Sequence, residues 1–324
     1  MRRRASLALA AAAALVACAA GRGSAADELP GLDHPLAGRI WDVAAARFLD
    51  ETSLLEWAGA HALVLLGEKH DNPEHHRLEA RVIAGLAAAG RRPTLVLEML
   101  PADVAAALEE ALAQPDVTAE AVRRAVAWER SGWPEWSLYA PVFEAALAAR
   151  LRLAPGDLGR ASLEQLRRDG LAGLDPALRA RLGLDAPQPP EQRDALGADI
   201  RASHCGYVPE AALPRMVDAQ LARDAHLADA MLAGAGPDGA LLVAGAGHVQ
   251  RGWAVPWWLA RGGAGGSLAT LAFLEVTPDR VEPARDLAER FGAARPYDVV
   301  WYTPRGDDVD PCAKFREDLE RLRP

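Results

Sequence analysis

Three short apolar runs constrain this chain most, because each ends in an ionisable residue of the kind that holds metals. Residues 62–66 (ALVLL) lead into Gly67-Glu68-Lys69-His70, residues 94–97 (TLVL) into Glu98, and residues 240–244 (ALLVA) into Gly245-Ala246-Gly247-His248. Each run has the length and composition of a strand buried on both faces, as in a parallel sheet. In open α/β sheets, ligands collect beyond the carboxyl ends of the strands. His70, Glu98 and His248 are therefore expected as neighbours at one rim, where a glycine turns the chain off two of the strands.

The segments between the runs read as helices. Asp71-Asn72-Pro73 offers an N-cap and a proline at the first helical position, and Leu78, Val82, Ile83 and Leu86 follow at helical spacing. Further helices are predicted over 102–113, 118–128, 137–149 and 209–233, a strand candidate at 151–153, and strands at 268–276 and 298–302. A strand–helix–strand unit with a right-handed crossover gives parallel neighbours. The expected fold is α/β, a central, largely parallel sheet flanked by helices. Gly170, Gly183, Pro187, Pro189 and Pro190 break up a run of short amphipathic pieces, so residues 155–200 are expected as a helical insertion over the sheet.

The amino terminus carries an address. Arg2-Arg3-Arg4 is followed by an apolar stretch over 5–17, too short to span a bilayer, that ends in Leu15-Val16-Ala17-Cys18. This resembles the bacterial lipobox, with Cys18 as the lipidated residue; an ordinary signal peptide cut near Ala25-Ala26 is the alternative. Ala19 is not the aspartate that marks inner-membrane retention, so an outer-membrane lipoprotein of the cell envelope is expected. Residues 1–18 then form the signal peptide, 19–37 a flexible tether, 38–305 the folded domain and 306–324 a terminal tail or helix. A net charge of −9 argues against a nucleic-acid partner. Cys205 and Cys312 could pair in an oxidising compartment or stay as buried thiols.

Two histidines and a glutamate would suit manganese, cobalt or zinc and leave coordination positions open, with Glu68 as a second ligand or general base. Of His75 and His76, His76 has the better prospect of facing the rim, and the other reads as a solvated or capping residue. A second constellation is aromatic: Trp128, Trp133, Trp136 and Tyr139, then Trp253, Trp257 and Trp258. Such residues build cores, or they wall a flat apolar ligand such as haem, which needs an axial ligand and cations for its propionates. Tyr139, Tyr207, His204 and His248 are the axial candidates; Arg223 and Arg251 are the candidate cations.

Taken in order, Gly67-Glu68-Lys69-His70-Asp71-Asn72 with His75-His76, Leu97-Glu98-Met99, Trp133-Pro134-x-Trp136-x-x-Tyr139-x-Pro141, Ala219-Gln220-x-x-Arg223-Asp224 and Gly245-x-Gly247-His248-Val249 resemble the ChaN family of haem-binding lipoproteins in the Tiki superfamily. The resemblance spans roughly residues 38–262. It implies an α/β fold with a helical insertion, haem as cofactor, dimerisation around stacked haems, and outer-membrane iron-uptake partners. Erythromycin-esterase-like, TraB-type and metalloprotease relatives imply an alternative: a metal-dependent hydrolase using His70, Glu98 and His248. Two departures stand out. Ala154-Pro155-Gly156-Asp157 replaces an expected asparagine-containing turn, and His226 stands where methionine is usual. A haem-binding protein of iron uptake, rather than an enzyme, is the leading expectation.

Overall fold

The three apolar runs pair side by side in the computed structural model, which describes residues 29–264 and 267–320. Among the described residues the strands are β1 (Ile40–Asp42), β2 (Arg47–Leu49), β3 (Leu63–Glu68), β4 (Thr94–Pro101), β5 (Leu153–Asp157), β6 (Ala240–Gly245), β7 (Leu268–Glu275) and β8 (Val299–Thr303). They form one sheet in the order β2-β1-β8-β7-β3-β6-β4-β5. From β8 to β5 all neighbours are parallel, and β1 joins β2 and β8 antiparallel. The largely parallel α/β sheet expected from sequence is the fold.

Helices cover both faces. Those before the fifth strand are α1 (Glu51–Gly59), α2 (Pro73–Ala88), α3 (Ala105–Leu112), α4 (Ala119–Ala125) and α5 (Trp136–Ala148). After it come α6 (Arg160–Asp169), α7 (Pro176–Arg181), α8 (Pro190–Ser203), α9 (Leu213–Gly234), α10 (Val255–Arg261), α11 (Pro283–Phe291) and α12 (Pro311–Lys314). Asn72 caps α2 by accepting from the Glu74 amide at 2.9 Å, ahead of Pro73. Its amide also donates to Glu275 at 2.8 Å and the Pro304 carbonyl at 3.0 Å, which ties the β3–α2 loop to the end of β8.

Strand pleating splits the core in two. Val64 and Leu66 of β3 pack with Leu95, Leu97 and Leu241 on the face that α2 and α5 cover. Leu63 and Leu65 pack with Val96, Leu242 and the α9 residues Leu221 and Ala225 on the other. At about 1.5–3 kcal/mol for each large aliphatic side chain fully buried, these two layers are the main stabilising contribution. They also fix the register, since a one-residue slip would exchange the faces.

Three differences from the sequence expectations have physical causes, and one open alternative is resolved. The hairpin β1–β2 carries no long apolar run to announce it; its strands are three residues each and Ala46 turns between them at φ 51°. The fifth strand runs through Leu153–Asp157 instead of ending at 153, because it is the sheet edge, where a missing Pro155 amide disrupts no ladder. Accordingly, the helical insertion starts after Asp157. His75 is fully buried, not solvated, as it accepts from the Lys69 amide at 2.9 Å and meets Thr303 Oγ1 at 2.8 Å. Finally, Cys205 and Cys312 form a disulfide with a Cα–Cα distance of 5.8 Å, joining the α8–α9 turn to α12. The lipobox, Cys18 and most of the tether lie outside the described residues, and among those described no helix is long and apolar enough to cross a membrane.

Candidate functional site

Register places the strand ends level with one another. Glu68 is opposite Gly245, and Leu97 is opposite Val243, so Glu68, Glu98 and Gly245 reach the same rim. Alternation then separates the two carboxylates. Glu68 continues the row of Val64 and Leu66 toward α2 and α5, whereas Glu98 continues the row of Val96 toward α9.

On the first face, Glu68 is buried and accepts three hydrogen bonds. His70 Nδ1 lies 2.9 Å from Oε1, His76 Nε2 lies 2.7 Å from Oε2, and the Tyr139 hydroxyl donates to Oε1 at 2.9 Å. Burial alone would raise the Glu68 carboxyl, but the hydrogen bonds from His70 and His76 outweigh it and bring it down to about 2. Tyr139 is pushed well above its ordinary value by burial and by the Glu68 charge, which keeps it a donor. Trp128 packs on Tyr139 and on Trp136 and Phe143, so these rings are packing behind Glu68, while Trp133 of the same segment stands against His70.

The second face holds Glu98, Asp157, Arg223, Asp224 and His248. Arg223 bonds Glu98 at 2.6 Å and Asp157 at 3.0 Å. His248 directs Nδ1 to Asp224 at 2.6 Å and Nε2 to Glu98 at 3.2 Å, while the Gly245 amide donates to Glu98 at 2.7 Å. Burial would lower His248, but the charges of Glu98 and Asp224 raise it to about 10, so it is an imidazolium. Burial would raise Glu98; His248 and Arg223 hold it well below the usual carboxylate range.

His70 sits where the two faces meet. A Cβ on Gly245 would come within 3.0 Å of its Cε1 and Nε2, so the glycine is what makes room for the ring. Trp133 abuts it edge-on at 4.7 Å between ring centroids, and its side chain is 38% exposed while those of His76 and Glu68 are closed off. With Nδ1–H turned to Glu68, Nε2 carries the lone pair at the mouth. Burial would lower His70, but the hydrogen bond and charge of Glu68, and after them the Glu98 charge, hold it above its ordinary value.

The sequence candidates are thus brought together only in part. His70, Glu68, Glu98, Tyr139, His248 and Arg223 all reach the rim. Among the described residues, however, no three His, Cys, Asp or Glu side chains are arranged to hold a metal ion. Tyr139 is fully buried, and Arg223 is engaged by two carboxylates. Arg251 is away from the rim cluster, bonded to Asp298 at 2.6 Å and the Leu268 carbonyl at 2.9 Å. His226 meets the Gly156 carbonyl at 2.8 Å. His204 and Tyr207 lie together, half-buried, on the disulfide-linked α8–α9 turn. There His204 Nδ1 donates to the Ile200 carbonyl at 2.8 Å.

Sequence reasoning missed Asp157 because its strand was ended too early. The segment Gln220-x-x-Arg223-Asp224 was the available signal for Asp224 and Gln220, whose spacing puts Gln220 one helical turn from the Arg223-Asp224 pair. A groove of about 770 Å³ along the β5 edge, lined by Leu108, Leu112, Leu147, Leu151, Arg150 and Arg152, includes no histidine or tyrosine.

No curated protein matches the chain. Among solved structures it is similar to ChaN of Campylobacter jejuni, a structure of cofacial haem binding, at 18% identity and a TM-score of 0.63, over 81% of this chain and 95% of that one. It is also similar to a mutant of the erythromycin esterase EreC in its open conformation, at 14% identity and a TM-score of 0.44, over 87% of this chain and 98% of that one. The family described as haem-binding uptake, Tiki superfamily, ChaN, matches residues 54–259, and the chain belongs to it.

Proposed function

We propose that this is a lipid-anchored haem-binding protein of bacterial iron uptake, and that its haem contacts lie on the α8–α9 turn rather than in the rim. The observation that carries the second half is His204. Its Nδ1–H is turned onto the Ile200 carbonyl, which leaves Nε2 with the lone pair, the form in which an imidazole ligates iron. Tyr207 is three residues on, and the Cys205–Cys312 disulfide fixes the turn between them. A macrocycle needs donors that its face can approach, and half-buried residues on a turn meet that need. By contrast Tyr139 is sealed in the core, and His248 has both nitrogens engaged. When bound, haem would supply the iron centre to be carried; His204 or Tyr207 would hold it. Two copies meeting over stacked haems would follow the cofacial arrangement described for the Campylobacter jejuni protein. The lipobox at Cys18 supports placement in the outer membrane.

Haemin titration of the protein, read by the haem absorption band, tests this. A saturable band shift that is lost in Tyr207→Phe or His204→Ala and kept in Tyr139→Phe is the expected result.

A second reading rests on His70. Its half-exposed ring, with Nδ1 oriented by Glu68, is an imidazole base held by a carboxylate at a mouth beside Glu98. That arrangement suits hydrolysis of an ester or peptide, with or without manganese, cobalt or zinc. In it Glu68, already accepting from three donors, orients the base rather than acting as one.

A further inference from the structure

Behind the rim, two buried polar groups on α2 have no partner and complement each other. Glu79 is fully buried, and neither carboxyl oxygen meets a hydrogen-bonding group. His76, one turn earlier, is fully buried too; its Nε2 is committed to Glu68 at 2.7 Å, and its Nδ1 meets nothing. Glu68 from β3 and Tyr139 from α5 face Glu79, and His75 and His76 precede it by one turn on α2 itself. Tyr139 and His75 are turned elsewhere: the hydroxyl donates to Glu68, and His75 is held by the Lys69 amide and Thr303.

An ionised carboxylate left in such a place, near the ionised Glu68, would be very costly, so the group must be neutral or compensated. With Glu68 taking the His76 Nε2–H, a neutral His76 would carry a lone pair on Nδ1 that needs a donor. A neutral Glu79 has an O–H to give. Neither Glu79 oxygen bonds His76 Nδ1 directly, but a bound water, which seeks two to four polar partners, would find Glu79 Oε1, Oε2 and His76 Nδ1.

We propose that Glu79 is a carboxylic acid at neutral pH and that one internal water joins it to His76 Nδ1, so that a proton is stored behind Glu68 and His70. This goes beyond the haem reading and does not depend on it. Two buried glutamates on one side of the sheet are thereby divided, Glu68 ionised and Glu79 neutral, as environments do when they drive paired carboxyls apart. Burial first and the Glu68 charge second push Glu79 well above its ordinary value, in agreement. Glu79 is a positioning residue: it touches no ligand, and it holds His76 in the tautomer that donates to Glu68.

The test compares the full chain with Glu79→Gln by denaturant unfolding from pH 5 to pH 8. A group with a raised folded pKa loses stability as pH rises above its unfolded value of about 4.3, and the side-chain amide of the variant does not titrate. The folding constant of E79Q relative to the native chain is therefore expected to rise with pH, by up to tenfold per unit. A flat ratio, or one that falls, overturns the proposal. A measurement on the native chain alone guards against a variant that fails to fold: a carboxylic-acid carbonyl band at pH 7, shifted by carbon-13 glutamate and abolished by unfolding, is expected, and its absence refutes the stored proton. The nitrogen-15 signal of His76 Nδ1 should persist in E79Q, which still donates, and move in Glu79→Leu; an unmoved signal in E79L overturns the link to His76.

Discussion

At the rim, His248 commits both ring nitrogens to carboxylates, His76 commits one and is sealed, and Tyr139 donates into Glu68. At the α8–α9 turn, His204 engages Nδ1, with the Ile200 carbonyl and the Ser203 hydroxyl, and both it and Tyr207 stay half-buried. The rim has the greater concentration of histidine and carboxylate, but it has satisfied itself. Converging ionisable residues at strand ends therefore does not amount to offering them to a ligand. On the proposed reading the turn, with fewer polar groups, presents His204 Nε2 to a large flat ligand. His70 is the exception at the rim, and the alternative hydrolytic reading depends on it.

Several changes would break or sharpen that contrast. The largest effect is expected from His248→Ala, which strips Glu98 and Asp224 of a buried cation; by analogy with other broken buried pairs it should cost about 3–5 kcal/mol in urea denaturation. Haem affinity of the fraction that folds should be unchanged. Next, Cys205→Ser with Cys312→Ser removes a cross-link between residues 107 apart and should cost about 2–4 kcal/mol. Unlike the rim variant, it should also weaken haem binding by loosening the turn. Tyr139→Phe removes one of three donors to Glu68 and should cost about 1–3 kcal/mol, with haem binding intact.

The smallest contrast is in pH dependence. Because His248 is raised to about 10, its stabilisation is complete below the unfolded histidine value and is lost as pH rises through about 10. Glu68, lowered to about 2, contributes above the unfolded glutamate value, and that contribution is lost as pH falls through about 2. Both limbs belong to the rim. His248→Ala should flatten the alkaline limb, as followed by thermal denaturation across the range.

Much of this was legible in the sequence. The runs ending at Glu68, Glu98 and Gly245 had the composition of doubly buried strands, and local composition is what a parallel central strand makes visible. The position of Asn72 ahead of Pro73 announced α2. Other features depended on pairing that composition does not carry. That Glu68 and Glu98 point to opposite faces follows from register between strands far apart in sequence, and no run of residues encodes it. Pro155 read as a break because its tolerance comes from being at the sheet edge. The disulfide needed the α8–α9 turn and the chain terminus to meet, a distance only the fold sets. His76 was placed toward the rim by its position in the first helical turn, whereas Glu79 gave no sign of being sealed behind it.

The central claim, that haem is held by the turn and not by the rim, is tested most directly by parallel haemin titrations of the native chain, Tyr207→Phe, His204→Ala and Tyr139→Phe. The account predicts saturable binding in the native chain and in Tyr139→Phe, with loss of at least tenfold in affinity in one of the two turn variants. Binding abolished in Tyr139→Phe while both turn variants keep it, or no saturable binding by the native chain, would contradict it.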